Sequence, residues 1–295
     1  MHIDKSQVKV WHACTDGYRW FLDKFPQGGT YADVHGALIS DKRYDDARWL
    51  VDQMYRTFLD SAEFIQAETA ATDKMVGELT SMEQPSDQVA EGENSSGDDA
   101  RIGSSGDDAR IGSSGDDAQI GSSGDDARIG SSGNYARIGS SGDDAQIGSS
   151  GDDARIGSSG DDARIGSSGD DARIGSSGDD AQIGSSGNYA RIGSSGNYAR
   201  IGSSGDDAQI GSSGDDAQIG SSGDDARITA TGKGSVVACA GSIERIVLGE
   251  GGCASVPWHD GKRIRIAVAY VGENGIEANI PYYVNDEGQF VRVED

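Results

Sequence analysis

Two carboxylates recur every nine residues through the middle of the chain, from Asp98-Asp99 to Asp224-Asp225. Paired carboxylates at a fixed spacing are what a hard, oxygen-preferring cation such as calcium requires. In three copies the pair is replaced by Asn-Tyr, at Asn134-Tyr135, Asn188-Tyr189 and Asn197-Tyr198. Outside this array, Trp11-His12-x-Cys14 sets an imidazole two residues from a thiol. That pairing can activate a nucleophilic cysteine, but a lone Cys near His in a helical segment reads more simply as a core or half-buried side chain. His259-Asp260-Gly261 reads as a hairpin turn rather than as two members of a triad. There is no Ser-His-Asp arrangement, Cys-x-x-Cys pair, phosphate loop or dinucleotide fingerprint. The chain therefore reads as no enzyme, with no catalytic, cofactor-binding or metal site.

The aspartates belong to a larger pattern. From Gly97 to Ile228 run fifteen copies of Gly-Asp-Asp-Ala-Arg-Ile-Gly-Ser-Ser, five of them with Gln for Arg. This unit resembles the calcium-binding nonapeptide Gly-Gly-x-Gly-x-Asp-x-apolar-x. It departs from it where Arg110 stands in place of the apolar residue and where the Asn-Tyr copies lose the Asp. Calcium binding is the second alternative reading. Alternation within Ala-Arg-Ile sends Ala and Ile inward and Arg or Gln outward. The following Gly-Ser-Ser-Gly reads as the turn, with glycine supplying positive φ and the serines stacked in a ladder. Nine residues are too few for a helical hairpin repeat and suit one strand and one corner of a parallel β-solenoid. Two repeats per coil give a flattened roll; three give a triangular prism. The roll is the preferred reading, and a disordered acidic Gly/Ser linker is its competitor.

By the same parity Asp108 and Arg110, like Asp162 and Arg164, point outward together. Stacked copies then set an acidic ladder beside an Arg/Gln ladder, interrupted by Tyr135, Tyr189 and Tyr198. These seven residues form the candidate interaction surface. Exposed pairs of this kind contribute little stability individually. They do keep a sheet surface soluble.

The net charge is −25, of which the array carries −14. That balance argues against direct nucleic-acid binding and against anionic membrane surfaces. It also keeps open an acidic decoy that imitates DNA. Ice binding would call for flat Thr arrays, which the outward Arg and Asp do not supply. Three cysteines, Cys14, Cys239 and Cys253, are too few for a disulfide framework. With no apolar run of membrane-spanning length, a reducing cytoplasm is expected.

The flanks differ from the array. Residues 1–80 read as a helical domain. Trp20 and Phe21 lie on a helix that stops near Pro26, and Thr30 with Asp33 resembles a capping box opening YADVHGALIS. Ala47, Leu50, Val51, Met54, Tyr55 and Phe58 keep helical spacing, and a last helix runs from Ser61 to about Leu79. Residues 81–96 read as a linker or entry turn. The solenoid spans 97–246, its last coils degenerate, with Val236-Val237 and Arg245-Ile246 in the register of Arg-Ile. Residues 247–295 read as a small antiparallel β-domain closing the solenoid, with turns at Asp260-Gly261, Asn274-Gly275 and Glu287-Gly288. The fold class is thus mainly β: a parallel β-solenoid of nine-residue repeats between a helical N-terminal and an antiparallel β C-terminal domain.

Three features taken together resemble a known group. They are Ala13-Cys14-x-x-Gly17-x-x-Trp20-Phe21 with Phe25-Pro26 and Arg43-Tyr44-Asp45-Asp46-Ala47-x-Trp49-Leu50; the nonapeptide array; and Thr231-Gly232-Lys233-Gly234-Ser235-Val236 through Gly252-Cys253 to Tyr282-Tyr283-Val284 and Gly288-Gln289-Phe290-Val291. The chain resembles bacteriophage and prophage proteins carrying nonapeptide solenoids. The resemblance implies the fold and a mobile-element origin, with host cytoplasm or a phage particle as the location. It carries over no catalytic residue. The expected function is a structural or interaction protein that presents its end domains to an unidentified protein partner, with a homo-oligomer left open.

Overall fold

The computed structural model describes residues 2–59, 62–81 and 93–293. Packing divides the chain into two compact units, Met1–Ala67 and Glu68–Asp295, and the division falls inside a helix. Most of the expected linker, residues 82–92, lies outside the described residues.

The first unit is built from helices α1 Lys5–Val10, α2 Thr15–Lys24, α3 Tyr31–Ser40 and α4 Tyr44–Phe58, with the start of α5, Ala62–Thr80. Each early start has a local cause. The Asp4 carboxylate accepts the N–H groups of Ser6 and Gln7, and the Thr30 hydroxyl accepts that of Asp33, so orphan donors are satisfied. The helical spacing on α4 buries Ala47, Leu50, Val51, Met54 and Tyr55 against Val34, Leu38 and Phe64. His2–Ile3 and Gly29–Thr30 add a short antiparallel pair.

In the second unit the array folds as a two-sided roll. Each repeat contributes one strand, Arg/Gln-Ile-Gly-Ser, and successive strands alternate between two sheets of 11 strands each. Every strand pairs in parallel and in register with the one 18 residues on, as Ile156 with Ile174 and Ile165 with Ile183. The coil therefore holds two nonapeptides. At ~4.8 Å per strand, eleven strands extend for roughly 50 Å. The inward Ile and Ala form one continuous core, from Ile102 through Ile228 to Val237 and Ile246.

The turn differs from expectation. The strand takes in the Gly and the first Ser, and the corner is Ser-Gly-Asp-Asp. The residue with positive φ is the second Asp, at +55° to +58° in every copy, with Tyr135, Tyr189 and Tyr198 taking its place in the Asn-Tyr copies. Asp tolerates this left-handed conformation because its short side chain bonds locally. The corner glycine has a different role. A Cβ on Gly160 would lie 2.1 Å from the Gly142 carbonyl oxygen of the preceding coil, so glycine is required by backbone stacking.

Tyr gains none of Asp's local compensation at this φ. Tyr135→Asp is therefore expected to raise stability modestly, by up to about 1 kcal/mol. Denaturant unfolding of the variant beside the parent checks this.

The first serines face inward, and Ser122, Ser140, Ser158 and Ser176 are fully buried. They stack in register, but no protein group bonds their hydroxyls. The expected ladder is thus a stack without mutual hydrogen bonds. A coil spacing of ~4.8 Å exceeds the ~2.8 Å reach of an O–H···O bond.

The C-terminal strands pair antiparallel with one another, as expected, and they extend the roll's own sheets, Cys253–His259 joining in parallel with Val236–Cys239. Cys253–His259 and Ile264–Tyr270 form a hairpin at the end of one sheet; Pro281–Val284 and Phe290–Arg292 close the other. Val236-Val237 and Arg245-Ile246 keep the register of Arg-Ile. His259-Asp260-Gly261 is the hairpin turn. Asp260 accepts the backbone N–H groups of Arg263 and Lys262 and pairs with Arg265, which lowers its carboxyl to about 2. The roll also begins earlier than the first full repeat, because Glu93–Ser95 already pairs with Arg110–Ser113.

Candidate functional site

The roll has two faces and two edges, and the repeat distributes its polar groups between them. Arg/Gln and the strand Gly face out from each sheet; both aspartates lie at the edges. The first Asp of each pair is structural. Asp161 accepts the N–H of Asp179 in the next coil at 2.8 Å, and its own N–H donates to Asp143 at 2.9 Å. The same bond repeats along both edges, ending where Ser242 donates to Asp224 at 2.9 Å. Asn serves equally, because its side-chain oxygen also accepts; Asn134 receives the N–H of Asp152 at 2.9 Å.

This geometry makes a sharp comparison possible. Asp161→Asn is expected to change stability by less than about 0.5 kcal/mol, whereas Asp161→Ala leaves an inter-coil N–H without its acceptor and costs about 1 kcal/mol. Urea melts of the two variants distinguish them.

The seven candidate surface residues do not form one surface. Asp108, Asp162 and Tyr198 share one edge column, while Tyr135 and Tyr189 stand on the opposite edge, three coils apart. Arg110 and Arg164 lie on the outer face of one sheet, in the column Arg110–Arg128–Gln146–Arg164–Gln182. Asp108 forms no ion pair with Arg110, nor Asp162 with Arg164. The parity argument continued strand alternation into a corner that rotates the aspartates away from the face. Arg191 with Asp171, at 3.7 Å, shows that such pairing does occur between neighbouring coils.

The two outer faces differ in a way that fifteen similar repeats do not announce. On one sheet α5 lies along the glycine column. Thr69 contacts the space above Gly193, Thr72 that above Gly175 and Gly157, Val76 that above Gly157 and Gly139, and Leu79 that above Gly139 and Gly121. Three or four helical residues pass per coil, because a helical turn of ~5.4 Å nearly matches a coil of ~4.8 Å. Absence of a Cβ in the sheet lets the helix settle between the side chains. Glu78 reaches Arg137 at 3.8 Å, and Asp73 accepts the Ser177 hydroxyl at 2.7 Å. Burial raises the Asp73 carboxyl and lowers the Arg137 guanidinium, with the Ser177 bond and Glu78 each offsetting the shift. On the other sheet Gly130, Gly148, Gly166, Gly184 and Gly202 have nothing within 4 Å of a Cβ position. Along it, from Arg128 to Gln182, runs a shallow groove of about 600 Å³.

In the helical unit a cavity of about 310 Å³ is lined by Trp20, Phe21, Leu38, Trp49, Cys14 and His12, among others. Cys14 is exposed, not core or half-buried as its sequence context suggested. It caps α2 and accepts the Gly17 N–H at 3.2 Å; no hydrogen bond joins it to His12. Burial pushes the Cys239 thiol up to about 12, which disfavours its thiolate. Among the described residues no three His, Cys, Asp or Glu side chains gather as metal ligands, and no helix is long and apolar enough to cross a membrane.

A two-sided parallel β-solenoid with a helix along one face defines the structural class. Known proteins match parts of the chain. Residues 1–59 match the family described as the YdhT N-terminal domain. An uncharacterized protein, YdhT, of Escherichia coli K12 is 36% identical over 75 residues, 25% of this chain and 28% of that protein. Ice nucleation proteins of Pseudomonas syringae are 58% identical over 36 residues, 12% of this chain and 3% of theirs. The chain thus spans under a third of the length of these relatives. No solved structure matches.

Proposed function

We propose that the protein is a non-catalytic repeat scaffold, a roll whose copy number sets its length and which carries its helical N-terminal unit and C-terminal strands to a protein partner. The observation that carries this is the use of the repeat's first carboxylate. It holds each coil to the next, so the array extends by adding identical coils without assembling a reactive group. The resemblance to phage and prophage solenoids supports a mobile-element origin and a role in host cytoplasm or a phage particle. The acidic surface supports a protein partner over nucleic acid or membrane. The ice nucleation proteins share two coils' length of sequence. Here the outward positions are Arg, Gln and Gly, without Thr rows, so an ice-contacting role is not favoured.

The acidic decoy is a second reading with its own support. The arginines face out from the sheets; some pair with edge aspartates, as Arg191 does with Asp171, while Asp108 and Asp162 stay unpaired with Arg110 and Arg164. At two carboxylates per ~4.8 Å coil, each edge approaches the ~1.7 Å charge spacing of duplex DNA.

The test uses chains lacking residues 151–168 or 151–186, one and two coils, as baits in host lysate. A scaffold keeps the same partners whichever coils are removed, in amounts that do not follow coil number. Recovery of DNA-handling enzymes in proportion to coil number, released by salt, would replace it with the decoy.

A further inference from the structure

We infer that the open sheet is a docking face for an acidic amphipathic helix of a partner protein, seated along the glycine groove as α5 is seated on the opposite sheet. The proposal deepens the scaffold reading by giving it a contact surface, and rests on it only for the existence of a partner. Three observations converge. The open groove repeats, strand for strand, the outward Arg/Gln-x-Gly pattern that α5 occupies on the covered sheet, and its glycines meet nothing. Glycine in a strand interior weakens a sheet unless another backbone approaches closely. On the covered sheet that approach is made by α5.

The second observation is charge. Arg110, Arg128, Arg164 and Arg200 are exposed on the open sheet and form no ion pair among the described residues. On the covered sheet the equivalent Arg137 pairs with Glu78 of the helix. An acidic flank at helical spacing supplies the missing partners. A second copy seated face to face would set two arginine columns against one another.

The third is an apolar anchor at the groove's C-terminal end. Ile264, Ile266, Val268 and Tyr270 alternate on the last strand of the open sheet and are 52–70% exposed. They point out on the same face as the groove, since the alternating Ala267 and Ala269 are buried. A row of four large apolar side chains marks a contact site rather than ordinary surface. The expected occupant therefore has small or β-branched residues every three to four positions, acidic residues flanking them, and a more apolar end.

Residues 62–80 of this chain, as a fluorescein-labelled peptide, supply a probe of that chemistry. Anisotropy titration into the full chain is expected to show saturable binding at one site. Arg128→Glu with Arg164→Glu, and separately Gly166→Leu, are expected to weaken it about tenfold or more. Gly166 faces open space, so its variant folds, which circular dichroism checks. Asp161→Asn, at the edge, is expected to leave affinity unchanged. Absence of saturation, affinity indifferent to both groove variants, or a stable dimer that excludes the peptide would each overturn the docking face. None of these results would alter the coil-deletion outcome, so the two readings fail separately.

Discussion

Gly160→Ala is expected to break the roll at its middle, although it adds one methyl group. The new Cβ would lie 2.1 Å from the Gly142 carbonyl oxygen, 2.5 Å from its carbon and 2.9 Å from the Asp143 nitrogen. All three are backbone atoms of a stacked coil, so no side chain can swing aside. Relief requires the coils to part, which disrupts the neighbouring Asp161–Asp143 bond at the same corner. The cost is expected to reach or exceed the upper end of the ~1–3 kcal/mol usual for overpacking. Because each coil touches only its neighbours, the array should melt as two shortened pieces. Gly166→Ala, six residues away on the open face, meets nothing. It should be neutral or slightly stabilising, since a strand glycine forgoes roughly 0.5–1 kcal/mol relative to alanine. Thermal melts of both variants check the contrast. Equal melting temperatures would mean that the coils do not stack through their corner glycines.

Ile165→Asp is the second large effect. Ile165 is 3% exposed, and its in-register neighbours Ile147 and Ile183 are buried alike. No cation lies inside the roll to receive a carboxylate there, so the charge stays unpaired or the coil opens. The expected loss is several kcal/mol, with proteolysis appearing near the substitution. Arg164→Gln, the adjacent position, should be nearly silent, because Gln146 and Gln182 already occupy its column. Limited proteolysis and denaturant unfolding of the pair measure both. Retention of the folded, resistant array by Ile165→Asp would reverse the assignment of inside and outside.

Much of this architecture was legible in the nonapeptide. Its period and the parity of Ala, Arg and Ile indicated a solenoid with Ile inside, and Val236-Val237 and Arg245-Ile246 showed how far the register persists. The corner was not legible, for a definite reason. Glycine is selected for positive φ and for close backbone approach, and one sequence does not distinguish them. Here the corner glycine serves approach, and the second Asp takes the left-handed position. The parity that worked for Ala-Arg-Ile failed for Asp108, because alternation ends where the chain turns. Nor could the sequence separate a covered sheet from an open one. Odd and even repeats are chemically alike, and the difference arises from which glycine column meets Thr72, Val76 and Leu79. A helix from Ser61 to about Leu79 was expected from the sequence; its seat depends on the coil holding 18 residues.

That coil is the central claim, and one distance tests it most directly. Arg110 and Gln218 lie on the same outer column of the open sheet, six coils apart. Spin labels introduced by Arg110→Cys and Gln218→Cys, in a chain with Cys14 and Cys253 replaced by Ser, report their separation by pulsed double electron–electron resonance. An 18-residue coil predicts a narrow distribution near ~29 Å, six strand spacings. A three-repeat coil would bring the labels to about 19 Å by the same spacing. A disordered Gly/Ser chain of this length would give a broad distribution centred on roughly 55 Å. Either of the last two results would contradict the two-sided roll.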